Sequence, residues 1–490
     1  MNTPRPRQPA SSFAPSPLTS QPGLPGLQLS GLWLRTLLVP LALLVSAALV
    51  GSLPASAQET RQPREEPSRS PVQDPSLPEE GDATLVLEGG RGLLRLAFPP
   101  VTGGASLSAA MAGAAREVEE VLRSDLGFSD LFVVQGPNGF EVLSLTGDRA
   151  LDFEQHRSLG NEYLIQANVL REGERFVFEG RLFDLADGTA VVAKRYRGSP
   201  SVARRIAHTF ANEVVRGLTG EQGIFLTSIA FTSDRSGFKE IYRMDYDGAN
   251  VQEVTAHKSS SMSSAWRPDG SGIAYVSFFS GAPAIYFAAL PSGRKSPLET
   301  EGSFNISPTY SPDGRHLLFT RALSGNSEIF VADADGGDPR RLTHTGAIDT
   351  NAAWSPKGSF IAFTSSRAGQ PHLYLMDAEG ANLRRLTFEG DYNDGAAWHP
   401  EGDKVVYATR RQGIFQIAVT NVVTLETRVL TDGYGNKEDP QFAPDGRHIV
   451  FTSNRTGTKQ IYVMDANGGD QRRLTREGNN ESPAWSPVPR

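Results

Sequence analysis

The chain has 490 residues, with 48 basic and 55 acidic side chains for a formal charge of −7, and no cysteine. Its length exceeds what one ordinary core organises, so at least two domains are expected. The charge gives no basic stripe for nucleic acid, and the missing cysteines exclude disulfides and thiol chemistry while leaving the compartment open.

The first 58 residues carry Arg5, Arg7 and Arg35 but no acidic side chain, and the apolar run 37–50 leads into Pro54, Ala55, Ser56, Ala57 and Gln58. A basic flank, an apolar segment and a small-residue site predict a secretory signal peptide over 1–57, cleaved between Ala57 and Gln58, and hence an exported protein. A membrane anchor is the competing reading, but the run is shorter than the roughly 20 residues a spanning helix needs and contains Pro40. Residues 58–82 are rich in proline and charge with almost nothing to bury, which predicts an extended, disordered arm.

Over 83–222 the pattern predicts a small α/β domain. Residues 93–100 read as a strand, 106–122 as a helix with apolar Met111, Ala114, Val118, Val121 and Leu122, 131–134 as a strand and 150–159 as a helix. Residues 163–170, 175–184 and 190–197 alternate as three strands, and 202–218 form a last helix leading directly into the next domain.

Over 223–490 one unit repeats. Trp266, Tyr310, Trp354, Trp398, Phe442 and Trp485 are spaced by 44, 44, 44, 44 and 43 residues, each at the end of a short strand. Within the repeat 349–387 a strand ending at Trp354, a Ser-Pro-Lys-Gly turn, a second strand, a third ending in Met376-Asp377, a glycine turn and Arg384-Arg385-Leu386-Thr387 follow in order. Four short strands at this period are the signature of a β-propeller, here with six blades. The first repeat enters at its second strand, near Ser228, and the last stops after its first strand, at Pro487. One blade is therefore assembled from both chain ends, which pairs edges that would otherwise stay open.

At the junction, Leu218–Ser233 (LTGEQGIFLTSIAFTS) resembles the hinge of the TolB family, and Met262–Gly281 and Ser482–Arg490 are similar to that family's blade and C-terminal sequences. The resemblance runs from about Leu93 to the end and implies a small N-terminal α/β domain followed by a six-bladed propeller closed by its terminal strands. It also implies a periplasmic, non-catalytic component of the Tol–Pal system with no cofactor, contacting the peptidoglycan-associated lipoprotein Pal and the inner-membrane protein TolA. Two departures stand out: Ser228 replaces the family's usual hinge arginine, and a long proline-rich arm replaces a short N-terminal segment.

No G-x-S-x-G elbow, H-E-x-x-H or P-loop is present, and the eight histidines are scattered. The repeated aromatics read as packing between blades. The arginine pairs at 340/341, 384/385 and 472/473 read as charges that protect outer strand edges. Few aromatics are expected at loop tips, which weighs against a carbohydrate-binding propeller; a propeller assisting a hydrolase is the other alternative.

Four residues before the repeated aromatics stand Met262, Ile306, Thr350, Asp394, Glu438 and Glu481, followed by Ser263, Ser307, Asn351, Gly395, Asp439 and Ser482. They are expected in loops that open onto the central channel, and they vary from blade to blade as a surface fitted to an asymmetric partner would. The family resemblance implies that this mouth receives Pal and places Phe304, Ser307 and Thr350 on matching positions. The candidate docking set is Phe304, Ser307, Thr350, Asn351, Asp394, Glu438, Asp439 and Glu481, with no metal or catalytic residue.

Overall fold

The computed structural model describes residues 92–103, 107–136, 140, 149–298, 300, 302, 304–323 and 325–489. The expected leader, its cleavage site at Ala57 and Gln58, and the arm lie outside the described residues.

The N-terminal domain is a sheet with two long helices on one face and a short helix, anchored by Phe153, on the other. Its strands are β1 (Leu94–Ala97), β2 (Thr102–Gly103), β3 (Phe132–Gln135), β4 (Tyr163–Glu172), β5 (Arg175–Asp184) and β6 (Ala190–Gly198), in the order β3-β1-β4-β5-β6 with β2 on β4. β1 lies parallel to β3 and β4, whereas β4, β5 and β6 form an antiparallel meander, as their glycine turns predict. Helix α1 (Ala109–Phe128) starts at Ser108, whose hydroxyl accepts the Met111 N–H. It outruns the sequence-based expectation because Leu126 and Phe128 continue its buried stripe. Helix α2 spans Arg149–Ser158, and α3, Ala203–Thr219, follows a short turn at Pro200–Val202. α3 packs on α1 and on β5, and Gly180 permits this, since a Cβ there would stand 2.6 Å from the Phe210 ring.

Six four-stranded antiparallel sheets follow, each ordered from first to fourth strand. Their first strands are Asn480–Trp485 for blade one, then Ser261–Trp266, Asn305–Tyr310, Asp349–Trp354, Asn393–Trp398 and Lys437–Phe442 for blades two to six. Each first strand touches the first strand of the next blade, and the last touches the first, so these six line a central axis. Blade one takes its first strand from the C-terminus: Trp485 pairs with Ile229 and Asn480 with Ser233, antiparallel.

The repeat motifs have local causes. In five of the six blades the threonine after the fourth strand tucks inward, where its hydroxyl accepts a third-strand N–H and bonds the side chain beside it, as Thr255 does with Ile241 and Glu240 and Thr431 with Ile417 and Gln416. The glycine of the turn after the third strand has positive φ and lies against the preceding blade, where a Cβ on Gly468 would meet the Leu430 carbonyl at 2.3 Å. The repeated aromatics pack between blades, and Trp266 and Trp398 donate to the carbonyls of Ala484 and Ala353 in the blade before. The paired arginines occupy fourth strands, as expected, and also reach across: Arg340 meets Glu379, and Arg384 donates to the Val422 carbonyl at 2.9 Å.

In an antiparallel meander the first-to-second and third-to-fourth turns share one end. On that end, at blades one and six, the N-terminal domain docks. One hydrophobic core runs from Val118, Leu122 and Phe210 through Phe225 to Phe231, Val450 and Trp485. Polar contacts pin this seam. The fully buried His448 ring stacks on Phe128 at 3.9 Å between centroids, places Nε2 2.7 Å from the Phe128 carbonyl oxygen and Nδ1 3.0 Å from Asp445. The Tyr246 hydroxyl donates to buried Asp125 at 2.6 Å, and Arg447 reaches Glu221. Among the described residues no helix is long and apolar enough to cross a membrane.

Candidate partner-docking mouth

The opposite end of the propeller carries the starts of the first strands, the second-to-third turns and the loops between blades. The residues expected in loops here are instead inside the first strands. Met262, Ile306, Thr350, Asp394, Glu438 and Glu481 all pair with second-strand residues, and immediately after each the ladder slips. Between Thr350 and Ala353 the first strand advances three residues while its partner, from Thr364 to Ala362, advances two. Each slip is a bulge with one extra residue. Periodicity reads strand and loop alike when a strand carries an unpaired residue, which is why the sequence placed these positions outside the sheet. Phe304 does sit in a loop, just ahead of its strand, with φ of 80°.

The extra residue is left-handed in every blade: Ser263, Ser307, Asn351, Gly395, Asp439 and Ser482 have φ of 54°, 52°, 51°, 70°, 52° and 53°. Only one is glycine. A left-handed conformation costs an L-residue about 1–2 kcal/mol, so five of them together cost on the order of 5–10 kcal/mol, comparable to the whole stability of a small domain. Strain of this size persists where the surrounding sheet fixes the backbone, and it gathers at functional sites.

The bulge side chains are wired to their neighbours around the ring. Ser307 donates to Asn351 Oδ1 at 2.7 Å, and Asn351 donates to Asp394 Oδ1 at 2.8 Å, which also accepts Thr364 Oγ1 and the Gly395 N–H. Across the channel, the Ser482 N–H and hydroxyl both donate to Asp439 Oδ2 at 3.2 Å.

The carboxylates of blades six and one are not a solvated rim. Lys459 lies 3.1 Å from Glu438 and 3.2 Å from Glu481, and Lys239 also pairs with Glu481. Burial alone would lower the Lys459 ammonium, but Glu481, Glu438 and Asp439 outweigh it and hold it above its ordinary value. Burial likewise opposes ionisation of Glu481, yet Lys459 and Lys239 keep it below the usual carboxylate range. Asp439 is packed round by the channel wall while part of its surface faces the lumen. That enclosure, then Glu438 and Glu481 against the pull of Lys459, pushes its carboxyl up to about 6.

Sequence reasoning missed both lysines. They share one repeat position, just ahead of the third strand, five periods of 44 residues apart, and that equivalence was the available signal. The expectation of few loop-tip aromatics is also corrected. Phe238, Phe279, Phe388 and Tyr434 are 49%, 61%, 61% and 80% exposed, and all lie on second-to-third turns or interblade loops of this end. They are the large aromatics exposed among the described residues, and none stands at the seam.

With this geometry established, comparison with known proteins places it. The family profile of the TolB beta propeller domain matches residues 215–488. The chain belongs to the TolB family. The profile of the TolB amino-terminal domain matches residues 85–191. A Protein TolB homolog from Chlorobium chlorochromatii is 36% identical over 165 residues, 34% of this chain and 38% of the relative. A Tol-Pal system protein TolB from Geobacter metallireducens is 38% identical over 159 residues, 32% of this chain and 37% of that one. The matched stretches thus span under two fifths of these curated relatives. The crystal structure of TolB from Acinetobacter baumannii superposes with a TM-score of 0.69 at 24% identity, covering 81% of this chain and 97% of that one, which shows the shared two-domain fold.

Proposed function

We propose that this TolB-family protein is a non-catalytic periplasmic scaffold of the Tol–Pal system. Its propeller mouth docks the lipoprotein Pal, and its N-terminal region receives TolA, so that outer membrane, peptidoglycan and inner membrane are linked and envelope constriction is supported. The observation that carries this reading is the ring of six bulges at the end facing away from the N-terminal domain. The six share one backbone geometry and differ in side chain, so the mouth is rigid in shape and asymmetric in chemistry. A rigid, prestrained surface loses little freedom on association, which favours affinity at a given area. The arm lies outside the described residues, and the TolA role rests on family membership and the chain's N-terminal region alone.

The test is binding of the purified protein to the soluble domain of the host's Pal-like lipoprotein, measured by calorimetry. Thr350→Arg and Glu438→Lys each weaken binding at least tenfold, while Tyr246→Phe at the seam leaves it within twofold. Absence of any binding by the wild type overturns the assignment.

A further inference from the structure

At the seam, one buried imidazole has a nitrogen with nothing to bond. His208, on α3, is 3% exposed, and its Nδ1 lies 2.8 Å from the Asp125 carboxylate, which Tyr246 also serves. Nδ1 faces that carboxylate, so Nε2 is the ring nitrogen left for another partner. It is buried and makes no hydrogen bond. It points toward the third-strand terminus of blade one, where ligand atoms of His208, Asp245 and Asp247 all lie within 4.8 Å of one another.

We propose that His208 Nε2, Asp245 and Asp247 form a site for a divalent transition-metal ion of the zinc class, which staples α3 to the propeller. An imidazole with two carboxylates suits such an ion, and a carboxylate behind the imidazole is the arrangement that fixes the ring's tautomer and raises its basicity in metal sites. Two ligands on one tetrahedral zinc stand about 3.4 Å apart, given bonds of about 2.0–2.2 Å. His208 Nε2 and Asp247 Oδ2 are 3.9 Å apart, so a shift of roughly half an ångström completes the pair. Asp247 is 19% exposed in its side chain, which gives the ion a way in from solvent. Asp245 Oδ2 accepts from Asn250, leaving its other oxygen for the metal.

Arg204 pairs with Asp247 Oδ2, and its guanidinium therefore supplies the positive charge that the ion would bring. Metal and guanidinium compete for one carboxylate. This competition separates the site from adventitious binding, because removing a cationic side chain from the surface of an ordinary protein does not create a histidine-dependent metal affinity.

The experiment is calorimetric titration of the chelator-treated full protein with Zn2+, with Tm of each metal-free variant as a check on folding. One saturable site is expected in the wild type. His208→Gln lowers its affinity at least a hundredfold, Asp247→Asn at least tenfold, and Asp125→Asn about 10–100-fold through the ring's orientation. Arg204→Ala tightens binding at least threefold. The inference is overturned if the wild type shows no saturable site or if Arg204→Ala and Asp247→Asn both leave the affinity unchanged. It is equally overturned if binding disappears instead with His399→Ala, from the half-exposed cluster of His399, Glu401 and Asp403.

Discussion

The two ends of the propeller use buried polarity in opposite ways. At the seam, His448 and Tyr246 are enclosed and bonded across the domain boundary to the Phe128 carbonyl and the Asp125 carboxylate, with Asp445 holding His448 from its own blade. At the mouth, five bulge L-residues are held left-handed within the first strands, three carboxylates crowd two lysines, and four aromatic rings stand in solvent. Left-handed L-residues occur at both ends, as Asn250 and Asp470 do in turns of the seam end, so what sets the mouth apart is their place inside paired strands, the crowded charge and the exposed rings. Under the proposed function, the enclosed seam is a contact already made within the chain and the mouth is the end that receives a partner.

The most severe way to break the comparison is to remove what both ends share. Deleting residues 480–490 takes away the first strand of blade one together with Trp485, whose loss alone would cost about 3–5 kcal/mol. The expected outcome is a chain without a cooperative thermal transition near the wild-type Tm and open to limited proteolysis. Next in size is the seam. His448→Ala removes a stacked ring and leaves the Phe128 carbonyl and the Asp445 carboxylate without their partner, so a loss of about 3 kcal/mol in urea unfolding is expected.

The mouth should respond with the opposite sign. Asp439→Gly relieves a left-handed L-residue and removes a carboxylate held in crowded charge, so a gain of about 1 kcal/mol is expected, with Pal binding weakened at least tenfold. A destabilised Asp439→Gly protein that binds normally would mean that the ring is merely structural.

The smallest effect sharpens the contrast by pH. The Asp439 carboxyl is raised in the folded state, so between about 4 and 6 the native protein holds more protons than the unfolded chain. Stability from this group therefore falls as pH rises through that window. Burial opposes ionisation of Asp445 at the seam, but the His448 ring and Arg447 outweigh it and hold that carboxyl below its ordinary value. Its contribution is complete above about pH 4 and is lost as pH drops further. Urea midpoints measured across pH 3–7 should show Asp439→Asn flattening the upper window and Asp445→Asn flattening the acid limb.

The architecture was legible because repetition amplifies weak signals: six aligned aromatics establish a period that one strand could not, and the truncated first and last repeats reveal how the ring shuts. The candidate docking mouth was legible only in part. Thr350, Asp394 and Glu438 were found from their variation between equivalent positions, but a bulge has no signature in residue order, so they were placed in loops instead of strands. Lys459 escaped because its role depends on Glu438 and Glu481 being brought together by ring closure, with Glu438 in one blade and Glu481 in the next. The seam was invisible for the same reason: Asp125 and His208 stand 83 residues apart and meet Tyr246 only after both domains exist.

Placing the ring's fastening in the final residues sets an order of events during biosynthesis. Ser228–Ser233 is made more than 240 residues before Asn480–Trp485, so its inner edge must wait, uncovered, while five further blades are produced. The wheel can lock only once Asn480–Trp485 has been made, so any chain cut short before that strand leaves the first blade without its innermost member.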